Sequence, residues 1–573
     1  MNYSSLYHER FRKNYDELKR IYEGLYHDTD MLSELCDTME EYFSLRSSTQ
    51  RRIDRLREEN NDWYKLQEVV AMQVDIRDYD GSLRTVQKNL KYMNGIGVDL
   101  VLLSPFNDSD SLEELAQTCH RKKMLFGTDF ILNRVRSDHP WVRKALKNNE
   151  DYRKRFFIYD DPDIPNRFDD KAINIYPVTA PGNFSFLPKT SEFVMTTFKG
   201  DEWDLNYKCA AVFNDIAAEI LAMANQGIDV IKLCGMAYLW KNEGTSCVNQ
   251  PEVHSIIRMI RIITDIVCPG ILLLGDAGLG KEEKLGFTDA VNMVTSYFGS
   301  EEHPECHLLY DSFTPPVLWN TFATQNCGLI KKQMDILNGV SRQFTFVNFL
   351  RNENPVDWKL DYDTLSEEAV NEDSHRRYLN DYYSGKTEGS YCSGTIINEA
   401  PHFLEDMIGG RTASLCGLER ATMQDLDEME EQAVRKIMLL HAVLLMETGI
   451  PMLYDGDEVG TINDQSFKKD ISIEAEIYHM ICRLIEIRST ERAFNCLADT
   501  WTLDTWDSGT FAMGRYYDGQ KIIGVFNFSD QARTAWINED DGDYIELITG
   551  QTMQATGVAV PAYSFKLLMK NFS

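Results

Sequence analysis

Short apolar runs recur along the chain between residues 69 and 454, separated by segments with helical periodicity. Seven runs stand out, each ending in polar residues: 69–76, 98–104, 124–132, 228–233, 270–274, 344–350 and 450–454. The intervening segments 213–224 and 254–266 have amphipathic helical spacing. Strands buried on both faces and alternating with helices indicate a parallel sheet. Their repetition over roughly 400 residues favours an α/β fold of the (β/α)8 barrel type, whose active sites lie at the carboxyl ends of the strands.

The flanks of this region have a different character. Residues 1–68 carry apolar positions at helical spacing, including Leu18, Ile21, Tyr22 and Leu25, which predicts an N-terminal helical domain. The barrel is predicted over 69–495, with inserted subdomains at about 143–205 and 359–428, where the alternation is interrupted. Short β runs and turn residues after position 496 predict a C-terminal antiparallel β-sandwich domain over 496–573.

Composition and charge limit the kinds of partner. The 573 residues carry a formal net charge of -31, which argues against nucleic acids and anionic membranes because both are polyanions. The N-terminus has no apolar run after a basic start, and no segment reaches the roughly 18 apolar residues of a membrane span. The 12 cysteines lack metal-ligand spacing. We therefore expect a cytoplasmic protein without a metal or other cofactor.

Residues 227–251, GIDVIKLCGMAYLWKNEGTSCVNQP, resemble the strand-four motif of amylosucrases and the loop that follows it. Further similar segments follow in family order at 129–134, 202–207, 318–324, 347–351 and 449–464. The chain thus resembles an amylosucrase-type member of glycoside hydrolase family 13. The resemblance implies a (β/α)8 barrel and retaining glycoside transfer, which needs a carboxylate nucleophile and a second carboxylic acid roughly 5 Å away. A third carboxylate normally holds the sugar hydroxyls in this family.

The motif's nucleophilic aspartate falls on Cys234, and the arginine two residues before it falls on Lys232. A thiolate can attack an anomeric carbon, but an unactivated cysteine is mostly protonated near neutral pH, so a structural thiol is favoured at this position. Lysine lacks the planar fork of arginine and cannot clamp a carboxylate in two places. The simplest expectation for Lys232 is a solvated side chain at a strand end.

The resemblance places the family's general acid, a glutamate, at Asp276. A carboxyl group remains there, but the missing methylene withdraws the proton donor by roughly 1 to 1.5 Å, a displacement that can cost about a hundredfold in rate. An ordinary loop carboxylate is the alternative interpretation. Residues 275–281 also fit the spacing of a phosphate-binding loop, but Glu282 replaces the serine or threonine that would hold magnesium.

The third carboxylate of the family corresponds to Asn354, and the histidines that would contact the sugar correspond to Glu353 and Arg134. The stretch from 104 to 124 is too short for the family's strand-two excursion, and the segment after Asp464 is abbreviated. Losses at several positions of one site point to relaxed or redirected selection. The sequence therefore predicts a catalytically inactive relative that keeps a sugar-binding or regulatory role.

Three alternatives remain open at this point. Asp276, Glu353 or Asp357 can serve a rebuilt catalytic set in a working hydrolase or transglucosylase. Aromatic residues can retain a sugar or α-glucan ligand by stacking, with core packing as the competing interpretation; they are Trp203, Tyr238, Trp240 and Trp358. The barrel and the N-terminal helices can instead form a surface for a homo- or hetero-oligomer.

Overall fold

The computed structural model describes residues 3–103, 112–175, 182–277, 286–397, 407–466, 471–539 and 542–572. The chain divides into two compact units. The first comprises Met1–Trp63, Pro105–Leu285 and Asn292–Tyr310, and the second comprises Tyr64–Ser104, Gly286–Val291 and Asp311–Ser573. The three-domain partition made from the sequence stays a prediction.

Eight strands form the closed parallel barrel that the sequence predicts, each pairing with its neighbours in chain order and the last with the first. They are β1 (Ala71–Val74), β2 (Leu100–Leu103), β3 (Leu125–Ile131), β4 (Val230–Cys234), β5 (Leu272–Gly275), β6 (Leu308–Tyr310), β7 (Thr345–Phe349) and β8 (Ile450–Tyr454). All residues of β1, β2, β5, β6, β7 and β8 are buried. The barrel prediction is confirmed. The apolar runs in the sequence did not predict β6.

Helices connect the strands at the positions where the sequence is amphipathic. The longer ones after β1 span Leu83–Ile96, Glu113–Arg121, Ala210–Asn225, Pro251–Val267, Phe287–Thr295, Thr314–Thr324, Gly328–Asn338, Glu372–Tyr383, Asp427–Met446 and Ile471–Thr490. Shorter helices span Pro140–Ala145, Glu150–Arg153, Asp163–Asp169, Tyr362–Glu367, Thr412–Leu415 and Leu418–Met423. No helix of the described residues is long and apolar enough to cross a membrane.

The N-terminal segment consists of three helices, α1 (Tyr3–Tyr26), α2 (Thr29–Leu45) and α3 (Ser48–Glu59). Asp28 caps the start of α2 by accepting from two backbone N–H groups. Ser47 begins α3 with a reciprocal capping box, which satisfies donors that a helix start leaves open. The Tyr22 hydroxyl donates to Asn214 at 2.9 Å, so α1 is fixed to the helix before β4.

Small antiparallel sheets occupy the two segments predicted as insertions. In the first, Ile158–Tyr159, Phe184–Leu187 and Glu192–Met195 form one sheet, and Arg134–Arg136 pairs with Glu202–Asp204. In the second, Val356–Asp357, Thr395–Ile397 and Met407–Gly409 form a three-stranded sheet. Both segments lie on loops that follow barrel strands, β3 and β7.

The C-terminal part is an antiparallel structure, as predicted. A six-stranded sheet has the order β9-β10-β11-β16-β13-β14, and β12 pairs with β15. The bounds are β9 (Asp499–Leu503), β10 (Thr510–Tyr517), β11 (Gln520–Asn527), β12 (Arg533–Ala535), β13 (Asp543–Glu546), β14 (Thr552–Gln554), β15 (Val558–Val560) and β16 (Ser564–Asn571). Its core includes Ile523, Tyr544 and Val558.

A buried ion pair stabilises the N-terminal helices. The Arg46 guanidinium makes two hydrogen bonds of 2.7 Å to the Asp54 carboxylate, which also accepts from the Gly270 backbone N–H at 3.2 Å. We expect Asp54→Ala to lower the free energy of unfolding by about 3–5 kcal/mol, because a buried arginine is left without its carboxylate. Urea unfolding followed by circular dichroism measures the change.

The matched control is the pair between Arg55 and Glu59 on the same helix, whose side chains are 48% and 56% exposed. Glu59→Ala should cost only about 0.3–0.5 kcal/mol, as is usual for an exposed helical pair. If Asp54→Ala and Glu59→Ala lowered the free energy of unfolding by the same amount, the buried ion pair would contribute no more to stability than the exposed one.

Candidate active site at the barrel strand ends

Lys232 and Cys234 lie at the end of β4, where the resemblance places the nucleophile. Cys234 is the last residue of the strand and is half-buried. The Lys232 side chain is fully buried, with its ammonium 3.4 Å from the Asp129 carboxylate on β3. The ammonium also lies 4.6 Å from the centre of the Tyr310 ring. The expectation of a solvated lysine is wrong, since the carboxylate and the ring together make burial of this charge tolerable.

Close packing and hydrogen bonds fix the residues next to the end of β4. Gly235 has a φ of 71°, and a Cβ there would lie 2.1 Å from the Asn133 side-chain oxygen, so this turn requires glycine. Arg134 donates to Glu202 at 2.8 Å and to Asn133 at 2.9 Å, and its guanidinium lies 4.0 Å from the Phe198 ring centre. The guanidinium of Arg134 therefore makes several protein contacts, and its contact with a sugar stays a prediction.

Asp276 is the first residue after β5 and is partly exposed. The preceding Gly275 is closely packed, since a Cβ there would come within 2.6 Å of Leu309 and 2.9 Å of Cys306. These contacts fix the backbone just before the carboxyl group of Asp276. Most of the loop that resembles a phosphate-binding motif, including Glu282, lies outside the described residues.

In the second unit, the resemblance assigns the third carboxylate of the family to Asn354, in the loop after β7. Arg351 is buried and donates to the Gly410 carbonyl and to the Asn352 carbonyl at 2.7 Å. Burial lowers the pKa of the Arg351 guanidinium. Asn354 is exposed, and its backbone N–H donates to the Asn352 side chain at 2.9 Å. Arg351 thus organises the loop backbone, and the Asn354 side chain lies on its surface.

Glu353, the residue in place of a neutral histidine, accepts a hydrogen bond from the Gln73 side chain on β1. Gln73 is buried within the strand, so a polar strand residue and a loop carboxylate meet at this end of the barrel. Asp357, proposed as a substitute acid, lies 3.4 Å from the Lys359 ammonium and 4.0 Å from the Arg376 guanidinium.

The aromatic residues proposed to stack on sugar rings are largely packed in the interior. Trp358 is buried, donates to Asn380 at 2.7 Å and stacks on Tyr383 at a centroid distance of 5.6 Å. This packing leaves no ring face of Trp358 open to a sugar. Trp203 and Trp240 are also buried. Tyr238 is half-buried and meets Phe198 edge-on at 5.1 Å.

A cavity of about 370 Å³ lies in the first unit within and beside the segment predicted as the first insertion. Its lining includes Phe157, Tyr159, Asn206, Lys208 and Glu243. The volume is within the range of small-molecule sites, and the lining combines aromatic faces with polar groups. These residues could not be recognised as one site from the sequence, because they come from segments far apart along the chain.

The end of β8 carries acidic residues that the sequence analysis also missed. Burial raises the pKa of Asp455 to about 6 and that of Glu458 to about 7. The Tyr92 hydroxyl donates to Glu458 at 3.1 Å, and the Gly456 N–H donates at 2.9 Å. The only sequence signal was the similarity of segment 449–464 to the family motif. Among the described residues no group of His, Cys, Asp and Glu side chains is placed to hold a metal ion.

The raised pKa of Glu458 gives folding a pH dependence. The folded state holds this proton more tightly than the unfolded chain, so stability falls as pH rises from about 4.5 to about 7, by up to about 3 kcal/mol. We expect Glu458→Gln, which stays neutral, to reduce the loss of melting temperature between pH 5 and pH 8. Asp455, Asp457 and Tyr92 face the same carboxyl group and will modulate the size of the effect.

The matched control is Glu476→Gln, which changes an exposed glutamate of the helix Ile471–Thr490. Its pH profile should follow that of the wild type. A Glu458→Gln profile that overlays the wild-type curve would show that Glu458 is not the source of the pH dependence.

Comparisons with known proteins agree with this architecture. Residues 106–297 match the family model "Alpha amylase, catalytic domain". The chain is 23% identical over 447 residues to the glucosylglycerate phosphorylase of Escherichia coli (strain K12), covering 73% of each protein. It is 25% identical over 407 residues to the trehalose synthase/amylase of Mycobacterium tuberculosis (strain ATCC 25618 / H37Rv), covering 67% of this chain and 59% of that relative. The match therefore spans less than two thirds of the trehalose synthase.

A solved structure with the same fold is the trehalulose synthase MutB from Pseudomonas mesoacidophila MX-45. An inactive double mutant of it, solved in complex with isomaltulose, aligns with a TM-score of 0.60 and 14% identity, covering 89% of this chain and 99% of that chain. Residues 106–297 are therefore similar to the alpha-amylase catalytic domain, and the chain is similar to glucosylglycerate phosphorylases and trehalose synthases.

Proposed function

We propose that this chain is an amylosucrase-like protein that binds a glucoside or α-glucan in its barrel without transferring the glucosyl group. The observation that carries the proposal is the end of β4, where Cys234 takes the place of the nucleophile. The neighbouring Lys232 is buried against Asp129 on β3. A retaining transfer requires a carboxylate at the first of these positions.

The thiol at position 234 is a poor substitute for the carboxylate. Only a thiolate is nucleophilic, and an ordinary thiol is mostly protonated near neutral pH. Lys232 lies two residues earlier on the same strand face, where a cation would favour the thiolate. Its charge is, however, shared with the Asp129 carboxylate, which weakens that effect. The strand end therefore favours a structural thiol over an activated one.

The loop after β7 supports the same conclusion. Asn354 has no carboxyl group, and its side chain is exposed. Glu353 has a carboxyl group that accepts from Gln73 on β1. Arg351, which follows β7 directly, donates to backbone carbonyls of the loop. At these three positions of the loop after β7, the residue either lacks the carboxyl group that the family would use toward the sugar or contacts other parts of the protein.

Three structural features support the proposal that the protein binds a sugar. The barrel is closed, and Asp276 keeps a carboxyl group at the end of β5. The cavity within and beside the first insertion has a volume in the range of small-molecule sites, but no residue of a barrel strand lines it. The proposal also places the protein in the cytoplasm, which is consistent with twelve cysteines, all in the described part of the chain, that form no disulfide.

A working enzyme with a rebuilt catalytic set is the second candidate, favoured by the partly exposed Asp276 carboxyl and by the catalytic activities that the names of the homologues state. In that case hydrolysis, phosphorolysis or isomerisation of a glucoside is the expected reaction class. A third candidate is a structural or regulatory partner in a homo- or hetero-oligomer, which would neither bind nor convert sugars.

The purified protein should be assayed with sucrose, maltooligosaccharides, trehalose, and glucosylglycerate plus inorganic phosphate. We expect no turnover above buffer, because the nucleophilic carboxylate is missing. Isothermal titration calorimetry on the same sugars tests the binding half, and a Cys234→Asp, Asn354→Asp double variant tests whether these two positions limit turnover.

Turnover by the wild-type protein that is abolished in Asp276→Asn and kept in Glu59→Gln, a matched change at an exposed carboxylate, would overturn the proposal in favour of a rebuilt enzyme. The absence of both turnover and binding would favour the assembly role. A covalent glucosyl adduct on Cys234, detected by mass spectrometry, would assign the thiol as the nucleophile.

A further inference from the structure

Lys232 is an amine inside the barrel. Its side chain has no exposed surface, although lysines are almost never fully buried unless they are paired. The register places Lys232 of β4 beside Asp129 of β3, and the ammonium lies 3.4 Å from that carboxylate, which is 5% exposed. The ammonium also lies 4.6 Å from the centre of the Tyr310 ring on β6. Because β5 separates β4 from β6, the lysine side chain extends across the barrel interior.

Packing alone does not account for a lysine at this position. A buried ion pair is a weak source of stability, because the cost of removing both charges from water offsets much of their attraction. Arginine, which the resemblance places here, would pair with Asp129 through a permanent charge and two donors. Lysine differs because its amine can lose a proton and become a nucleophile. The residue type at position 232 therefore indicates chemistry at this strand.

The strand end gives small molecules a route to the amine. Active sites of barrels lie at the carboxyl ends of the strands, and β4 ends at Cys234. Residues two apart on a strand share a face, so the Cys234 side chain lies one layer closer to the strand end than that of Lys232. Cys234 is half-buried, so its surroundings are partly open. A small molecule that enters at the strand end meets the thiol first and the amine behind it.

We propose that Lys232 forms a protonated imine with a small aldehyde, the open-chain form of a reducing sugar. Lysine amines form such Schiff bases with carbonyl compounds in enzymes. The choice of a sugar aldehyde rests on the proposed function, whereas the reactive amine rests on the position and contacts of Lys232. The reaction needs no carboxylate nucleophile, so the thiol at position 234 does not prevent it.

All proton transfers of this reaction pass through Asp129. The carboxylate takes one proton from the Lys232 ammonium, and the free amine forms a bond to the carbonyl carbon while the C=O π electrons move to oxygen. Asp129 returns the proton to that oxygen, then takes a second proton from nitrogen and gives it to the hydroxyl group, which leaves as water. The net change turns an ammonium and an aldehyde into a protonated imine and water, without an oxidant or a reductant.

The contacts that stabilise the ammonium also suit the product. The nitrogen carries one positive charge before and after the reaction, so the Asp129 carboxylate and the Tyr310 ring stabilise both states. Burial keeps bulk water away from the imine, which water would hydrolyse. The site therefore needs no new charge when the imine forms.

Reductive trapping tests the proposal. The full chain is incubated with glycolaldehyde, a two-carbon sugar aldehyde, and with sodium cyanoborohydride, which reduces the imine to a stable secondary amine. Peptide mapping by mass spectrometry should find an N-hydroxyethyl group on Lys232. We expect it to form roughly a hundredfold faster than on the exposed Lys154, the low end of what a positioned proton-transfer group contributes to a rate. If Lys232 served only the fold, its burial would make it react more slowly than Lys154.

Lys232→Arg separates the reaction from folding, because arginine keeps a charge beside Asp129 and cannot form an imine. Its melting temperature should stay close to that of the wild type while the fast adduct disappears. The matched control is Lys241→Arg, which changes a second buried lysine, 3.0 Å from the Asp204 carboxylate. This variant should keep the fast adduct. Cys234→Ala should keep it too, because the bond forms on nitrogen.

Three results would overturn the proposal. They are a Lys232 adduct that forms no faster than the Lys154 adduct, a fast adduct that persists in Lys232→Arg, and a fast adduct that is lost in Cys234→Ala. The last result would assign the reaction to the thiol.

The outcome is distinguishable from that of the proposed function. If glycolaldehyde is trapped on Lys232 but calorimetry detects no binding of glucosides or maltooligosaccharides, only the proposed function fails. If those sugars bind without turnover while glycolaldehyde leaves Lys232 unmodified, only the imine fails.

Discussion

The barrel strands are buried on nearly all faces, and this burial limits which hydrogen-bond partners a polar side chain on a strand can have. Such a side chain has little access to water and must find its partner on a neighbouring strand or in a loop above the barrel. Lys232 meets Asp129, Gln73 meets Glu353, and the Asn348 amide donates to the Thr448 carbonyl at 2.9 Å. The architecture depends on these pairings as much as on its apolar residues.

The same restriction applies at the end of β4, where we propose that Cys234 replaces a catalytic carboxylate. A catalytic carboxylate at a strand end is a charge that the enzyme keeps for chemistry, at some cost in stability. Cys234 is a half-buried thiol at the end of β4, and the Lys232 charge is balanced by the Asp129 carboxylate on the adjacent strand. The contacts at this strand end are therefore typical of a protein interior.

The architecture was largely predictable from the sequence, because alternation of apolar runs and amphipathic segments reports burial directly. β6 was missed since only Leu308, Leu309 and Tyr310 form it, which is too short a run to stand out. The partner of Lys232 could not be predicted because it lies on another strand, far away along the chain. Trp506 and Trp536 are 78% and 58% exposed, which the sequence could not show because tryptophans are usually highly buried.

The first barrel strand has a consequence for synthesis of the chain. Ala71 of β1 pairs with Met452 of β8, 381 positions later. At a translation rate of about 5–20 residues per second, one edge of β1 waits roughly 20–80 seconds for its neighbour to be made. An unpaired apolar strand edge can pair with other chains. One edge of β1 is therefore open to pairing with other chains until β8 has been made, a risk that the stability of the finished barrel does not reduce.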